Sequence, residues 1–177
     1  MIRTIAITGP ESTGKSMLAE QLSAHYKTTW VPEYARKYLE EIGRPYEEDD
    51  ILEIAKGQLA GEAEQLTKAA GYLFCDTEML VTKIWSEVKY KRCHPWISEA
   101  FEQHCYDLYL LCDIDLPWQY DPLREHPDQR QFLFDLYHNE LTSRKYPFRI
   151  VRGTGPARLQ NAVEFIENFA FNRITKM

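Results

Sequence analysis

Residues 9–16, GPESTGKS, fit the pattern G-x-x-x-x-G-K-[ST]. In that pattern successive backbone N–H groups wrap phosphate oxygens at the mouth of a helix. Gly9, Glu11, Ser12, Thr13 and Gly14 would form the cradle, Lys15 would reach β- and γ-phosphates, and the Ser16 hydroxyl would ligate Mg²⁺. An ordinary glycine-rich turn explains neither Lys15 nor Ser16. Three further groups could complete such chemistry. Asp76, closing an apolar run, suits a carboxylate that contacts Mg²⁺ through water, or else an N-cap for the helix after it. Glu33 lies where an acceptor hydroxyl would enter and could take its proton; a first-turn helix carboxylate is the other reading. Arg36 either binds a phosphate or pairs with Glu33 or Asp76. Together these residues point to ATP, Mg²⁺ and a transferred phosphoryl group.

The elements that must position them follow from hydrophobic periodicity. Residues 3–8 (RTIAIT), 28–31 (TTWV), 72–75 (YLFC), 108–112 (LYLLC) and 148–151 read as strands. Helical spacing marks 16–26, a segment from 33 stopped at Gly43, and one from the acidic run 47–50 to Gly71. Later helices carry Leu80, Ile84 and Val88 on one face, then a short stretch after His94-Pro95 through Phe101, then 132–141 and 155–169. The acidic run is read as a helix start, where negative charge suits the dipole. The basic cluster 89–92 is read as a solvated helix end, and the five histidines as structural or surface groups. Strands alternating with helices predict an α/β fold of the P-loop NTPase type: a three-layer parallel sheet of about five strands with helices on both faces, in a single domain over 1–177. Ligands in such sheets sit beyond the carboxyl ends of the strands. That rule gathers the phosphate loop, Glu33, Arg36, Asp76, Glu78, Asp113, Asp115, Trp118, Asp121, Arg124, Arg152 and Thr154 on one rim, and Tyr34 beside Glu33 is a further candidate for binding the substrate.

The segment 113–131 is long for a loop and carries Arg124 and Arg130, so it is expected to be a lid that brings guanidinium groups to the site on closing. A solvent-exposed loop is the plainer reading. Trp118 could stack on a flat base or cap a core edge. The bulk properties leave a soluble globular protein: 44% apolar residues, net charge −6, and no apolar run long enough to span a bilayer. The acidic balance argues against a broad nucleic-acid footprint. Four cysteines without a C-x-x-C pair, and a first strand starting at residue 2 or 3, are read as a cytoplasmic protein with free thiols and no signal peptide. The partners expected are small molecules only, with no membrane; oligomeric state is open.

Five stretches in order add a resemblance: residues 9–16, EYAR at 33–36, CDTE at 75–78, His94-Pro95, and PWQYDPLR at 117–124 followed by QRQF at 129–132. The chain resembles the ribosylnicotinamide kinase domain of the bacterial NadR proteins, whose matching segments read close to GGESSGKS, EYGR, IDTD, HP and EWxDDGxR. The resemblance implies transfer of the ATP γ-phosphoryl to the 5′-hydroxyl of nicotinamide riboside, with Trp118 and Asp121 helping to hold the nucleoside. Kinases of another nucleoside or nucleotide, and a regulatory ATP-binding module, are the rival readings. Ala35 replaces the family's glycine, Glu78 its second aspartate, and Pro32 a familiar aromatic; all three changes fall near the acceptor. The helix-turn-helix and adenylyltransferase regions of longer relatives have no counterpart here, so the resemblance implies neither operator binding nor NAD synthesis.

Overall fold

The computed structural model describes residues 2–174. Five strands form one sheet, β1 (Arg3–Thr8), β2 (Trp30–Val31), β3 (Tyr72–Asp76), β4 (Leu108–Cys112) and β5 (Phe148–Val151), in the order β2-β3-β1-β4-β5. Every pairing is parallel. Seven helices alternate with them among the described residues: α1 (Lys15–Tyr26), α2 (Tyr34–Ile42), α3 (Glu48–Leu66), α4 (Met79–Tyr90), α5 (Pro95–Gln103), α6 (Arg130–Ser143) and α7 (Gly155–Ile174). The period-2 geometry of the strands sorts their side chains between two cores. Ile5, Ile7, Phe74, Leu108 and Leu110 pack against Leu18 and Leu22 of α1 and Ala162 and Ile166 of α7. Ala6, Leu73, Cys75, Tyr109 and Leu111 pack against α3, α4, α5 and α6. This is the three-layer α/β P-loop fold that the sequence predicts.

The register sets the level of the rim. Ile7 pairs with Asp76, Val31 with Cys75, and Thr8 with Leu111, so β1, β2, β3 and β4 end together. Some boundaries shift from expectation. Thr28 leaves the second strand because its hydroxyl donates to the Tyr72 carbonyl (2.6 Å) and accepts the Ala70 N–H (2.8 Å), and only Trp30–Val31 ladders. The acidic run does start a helix: Asp50 accepts the Glu47 N–H (2.7 Å) and holds Arg44 (2.7 Å) and the Tyr38 hydroxyl (2.8 Å). His94 is structural, its Nδ1 accepting the Trp96 N–H (3.1 Å) to cap α5, with Pro95 at the first helical position. All four cysteines are free thiols. Among the described residues no helix is long and apolar enough to cross a membrane.

Candidate active site

At the carboxyl rim the chain leaves β1 at Gly9 with φ 127°. A Cβ there would sit 3.0 Å from the Cys112 carbonyl oxygen of β4, so this turn takes only glycine. Lys15 opens α1, and its Nζ donates to the Pro10 carbonyl (2.9 Å), as does the Thr13 hydroxyl (2.8 Å). The lysine is thus folded back across the loop's own mouth, where it can turn to an incoming phosphate. Behind the loop stands Arg158 of α7, almost fully buried. It donates to the Thr13 (2.9 Å), Asp113 (3.2 Å) and Gly153 (2.9 Å) carbonyls and pairs with Asp115 (2.7 Å). Arg158 lies four residues beyond the rim that the carboxyl-end rule marks and is placed there only by the packing of α7.

The two carboxylates differ in kind. Asp76 is fully buried, one oxygen accepts the Thr77 hydroxyl (3.3 Å), and Oδ2 has no hydrogen-bond partner. Burial, and then the negative charge of Glu33, raise its pKa to about 6, while Lys15 and the Ser16 hydroxyl pull the other way. An orphaned buried carboxylate oxygen beside a lysine and a serine hydroxyl is the setting a hard cation satisfies. Mg²⁺ takes few protein ligands and completes its shell with water and substrate phosphate, which fits the finding that no group of three His, Cys, Asp or Glu among the described residues could hold a metal. The capping alternative for Asp76 falls away, because Glu78 accepts the Leu80 N–H (2.6 Å) at the start of α4. Glu33 heads α2 without a side-chain cap hydrogen bond and lines the cavity. Gln58, nearly buried in α3, fixes the distance between the two: its Oε1 accepts the Tyr34 N–H (3.0 Å) and its Nε2 donates to the Asp76 carbonyl (3.1 Å).

A cavity of about 460 Å³ runs from the phosphate loop into an apolar compartment. Val81, Ile84, Trp85 and Val88 of α4, Leu133 and Tyr137 of α6, and Ala35 and Leu39 of α2 supply its apolar lining. Trp85 is the aromatic face there; its Nε1 donates to the Tyr46 hydroxyl (2.9 Å). The segment 113–131 forms the remaining wall through Leu116, Pro117, Gln119 and residues 123–126. It is stitched to the phosphate loop by Glu11, Ser12 and Arg130, to α2 by Arg36–Asp121 (2.9 Å), and to α4 by Lys89–Glu125 (2.7 Å). Lys89 is therefore engaged with that segment as well as sitting at a helix end.

Of the residues expected to gather here, the structure brings together the whole loop 9–16, Glu33, Arg36 and Arg124 in the lining, while Asp76 is buried outside it with Lys15, Ser16 and Glu33 close enough to act on its carboxyl. Arg36 pairs with Asp121 (2.9 Å) and more loosely with Glu40 (3.9 Å), and the Glu33 charge also acts on it; Asp76 is not among its partners. Several others do not line the cavity. Tyr34 packs its ring on Gly57, where a Cβ would lie 2.1 Å from the ring. Trp118 is absent from the lining, and its ring sits 6.0 Å from the guanidinium carbons of both Arg124 and Arg130. Asp121 is taken up by Arg36 and the Leu123 N–H (3.0 Å). Arg130 donates to the Ser12 and Leu116 carbonyls and braces the loop. Arg152 pairs with Asp113 (2.8 Å) on the outer rim, and Thr154 is exposed; Gly155 and Arg158 line that end instead. Trp85, Arg158, Gln58 and Glu125 are the site residues that the sequence reading passes over.

The AAA domain family model matches residues 4–158. The trifunctional NAD biosynthesis/regulator protein NadR of Escherichia coli (strain K12) is 30% identical over 129 residues, covering 70% of this chain and 31% of that protein. The chain thus spans under a third of that curated relative's length. Solved structures of NadR protein in complex with NR, and with NAD and AMP-PNP, match with TM-scores of 0.82 and 0.78, each at 19% identity. They cover 94% of this chain and 50% and 49% of theirs. Deoxyadenosine kinase from M. mycoides with bound dCTP matches with a TM-score of 0.59 at 14% identity, over 93% of this chain and 99% of its own. At these identities the solved structures establish the fold, and the sequence match bears out the resemblance to NadR.

Proposed function

The chain belongs to the AAA domain family, and on that premise we propose that it is an Mg²⁺- and ATP-dependent kinase whose acceptor is nicotinamide riboside. The observation that carries this is a single cavity lined both by the phosphate loop and by apolar side chains that include Trp85, with Glu33 also in its lining. A module that only senses nucleotide has no use for the second compartment. The likeness to NadR supports the acceptor, as does the chemistry of the wall: a cationic nicotinamide ring gains over an indole face and near the Glu33 carboxylate.

In this reading Lys15 leaves the Pro10 carbonyl for the β- and γ-phosphates. Ser16 and Asp76 would hold Mg²⁺, which would supply charge neutralisation on the phosphoryl oxygens. The acceptor 5′-oxygen attacks the γ-phosphorus, the bond to the β–γ bridging oxygen breaks, and ADP leaves with that oxygen. The hydroxyl proton passes to Glu33, which faces the cavity as Asp76 does not. Arg124, held over the loop near Ser12 (3.4 Å), lies within reach of the transferring group, while the segment 113–131 acts as the lid that excludes water.

Coupled ADP release across a panel of nucleosides, with Lys15→Ala as control, tests the proposal. Nicotinamide riboside should support turnover at least tenfold above other nucleosides on the scale of a lost specific contact, and the control should be inactive. Equal ADP release with no nucleoside present would make the protein an ATPase, and preference for another nucleoside would move the acceptor.

A further inference from the structure

Glu11 sets a carboxylate in the phosphate cradle, where it repels the anion the loop must bind. The structure gives its charge another destination. The Glu11 oxygens accept the backbone N–H groups of Glu125 (3.1 Å) and His126 (3.2 Å), both in the segment 113–131. Its neighbour Ser12, in the left-handed region at φ 57°, accepts the Gln119 N–H on its hydroxyl (2.9 Å) and the Arg130 guanidinium on its carbonyl (3.2 Å). Residue 125 is gripped from the opposite wall as well: its carboxylate accepts from Lys89 (2.7 Å) and the Tyr46 hydroxyl (2.6 Å). One peptide stretch is held by backbone to the phosphate loop and by side chain to α4, across the width of the cavity.

We propose that Glu11 is a positioning residue that latches the segment 113–131 to the phosphate loop and thereby couples nucleotide seating to closure of the acceptor compartment. When the segment is down, two N–H donors satisfy the Glu11 carboxylate and keep its charge turned from the phosphates. When the segment lifts, that carboxylate is released unneutralised beside the anion site. Bound phosphates therefore favour the closed segment, and by linkage the closed segment favours bound nucleotide to the same degree. The proposal rests on residues 9–16 binding a nucleotide and is independent of which nucleoside accepts the phosphoryl group.

Hydrogen exchange followed by mass spectrometry, on peptides covering 119–126, tests it in wild type, Glu11→Ala and Glu11→Gln, with and without Mg-AMP-PNP. Losing two hydrogen bonds to a charged acceptor should speed exchange there in Glu11→Ala by about tenfold or more, with the β1 and β4 peptides unchanged. Glu11→Gln, which keeps one acceptor oxygen, should fall between. Mg-AMP-PNP should slow the segment in wild type, and that slowing should be absent in Glu11→Ala. Equal exchange in wild type and both variants without nucleotide overturns the latch. If Glu11→Ala loosens the whole sheet, the decision passes to Glu11→Gln, and an unaltered segment there overturns it too. A wild-type segment indifferent to Mg-AMP-PNP, in a protein shown to bind it, refutes the coupling; failure to bind it at all refutes the nucleotide reading beneath.

Discussion

Two tryptophans compete for the role of base platform, and the structure separates them. Trp85 stands in the cavity wall, its ring set 5.0 Å from that of Tyr46 at 70° and its indole N–H committed to the Tyr46 hydroxyl at 2.9 Å. Trp118 lies outside that wall with Arg124 and Arg130 each 6.0 Å from its ring. A cationic or flat base over a partly desolvated indole gains about 0.5–2 kcal/mol. Trp85→Ala should therefore raise the acceptor KM by roughly two- to thirtyfold while the ATP KM stays put, since every 1.4 kcal/mol is about tenfold. Trp85 is half-buried, so truncation also costs stability, and circular dichroism with a melting curve must accompany the kinetics. Tyr46→Phe is the finer probe: it removes the hydroxyl that orients the indole and should move the acceptor KM in the same direction by less. Trp118→Ala should instead lower kcat, because it removes the surface beside two arginines that brace the loop. Steady-state titrations of each substrate in turn provide the assay. An unmoved acceptor KM in Trp85→Ala, or a shift confined to Trp118→Ala, would refute the assignment of the apolar compartment to the acceptor.

Asp76→Asn should raise the Mg²⁺ concentration needed for half-maximal rate, and Glu33→Gln should lower kcat about a hundredfold or more without moving that requirement; a magnesium titration on both variants reads the split, and the reverse pattern would exchange the roles. A separate outcome concerns stability. His104 donates to the buried Glu62 carboxylate (2.8 Å), which also accepts the Tyr106 hydroxyl (2.7 Å), and the Glu62 hydrogen bond raises the His104 pKa above its ordinary 6.5. A raised folded-state value means the contribution is complete below pH 6.5 and lost as pH climbs through that raised value. Glu78, fully buried and pushed up to about 7 by burial, acts in the same direction over a lower window: its contribution is complete below its ordinary 4.5 and lost as pH climbs to about 7. Melting temperature should accordingly fall as pH climbs from about 4.5 to 7 through Glu78 and go on falling above 6.5 through His104, and His104→Gln should flatten the fall above pH 6.5 without abolishing the one below it. An unchanged slope in the variant would remove His104 from the account.

What the sequence determined by itself is what short-range geometry determines. The loop 9–16 is legible because its function requires glycine, lysine and serine at fixed offsets, and Gly9 tolerates no substitute, its φ of 127° and the Cys112 backbone leaving no room for a Cβ. The strands are legible because residues buried on both faces leave apolar runs, and parallel pairing then brings β1, β2, β3 and β4 to a common end with Glu33 and Asp76 beside the loop. Side chains that act from the middle of elements are a different matter. The stripe Val81, Ile84, Trp85 and Val88 has the spacing of a core-facing helix, and an apolar cavity wall has that same spacing, so periodicity cannot tell them apart. Only the width of the apolar face of α4, Leu80 and Ile84 to the sheet core and Trp85 beside them to the cavity, carried a signal of two environments. The rotation of that helix, the reach of Arg158 from α7 to the loop, and the commitment of Glu11 to backbone donors more than a hundred residues away were decided by the tertiary structure. Each is a contact between elements distant in sequence, and the local preferences of neither partner encode the other's position.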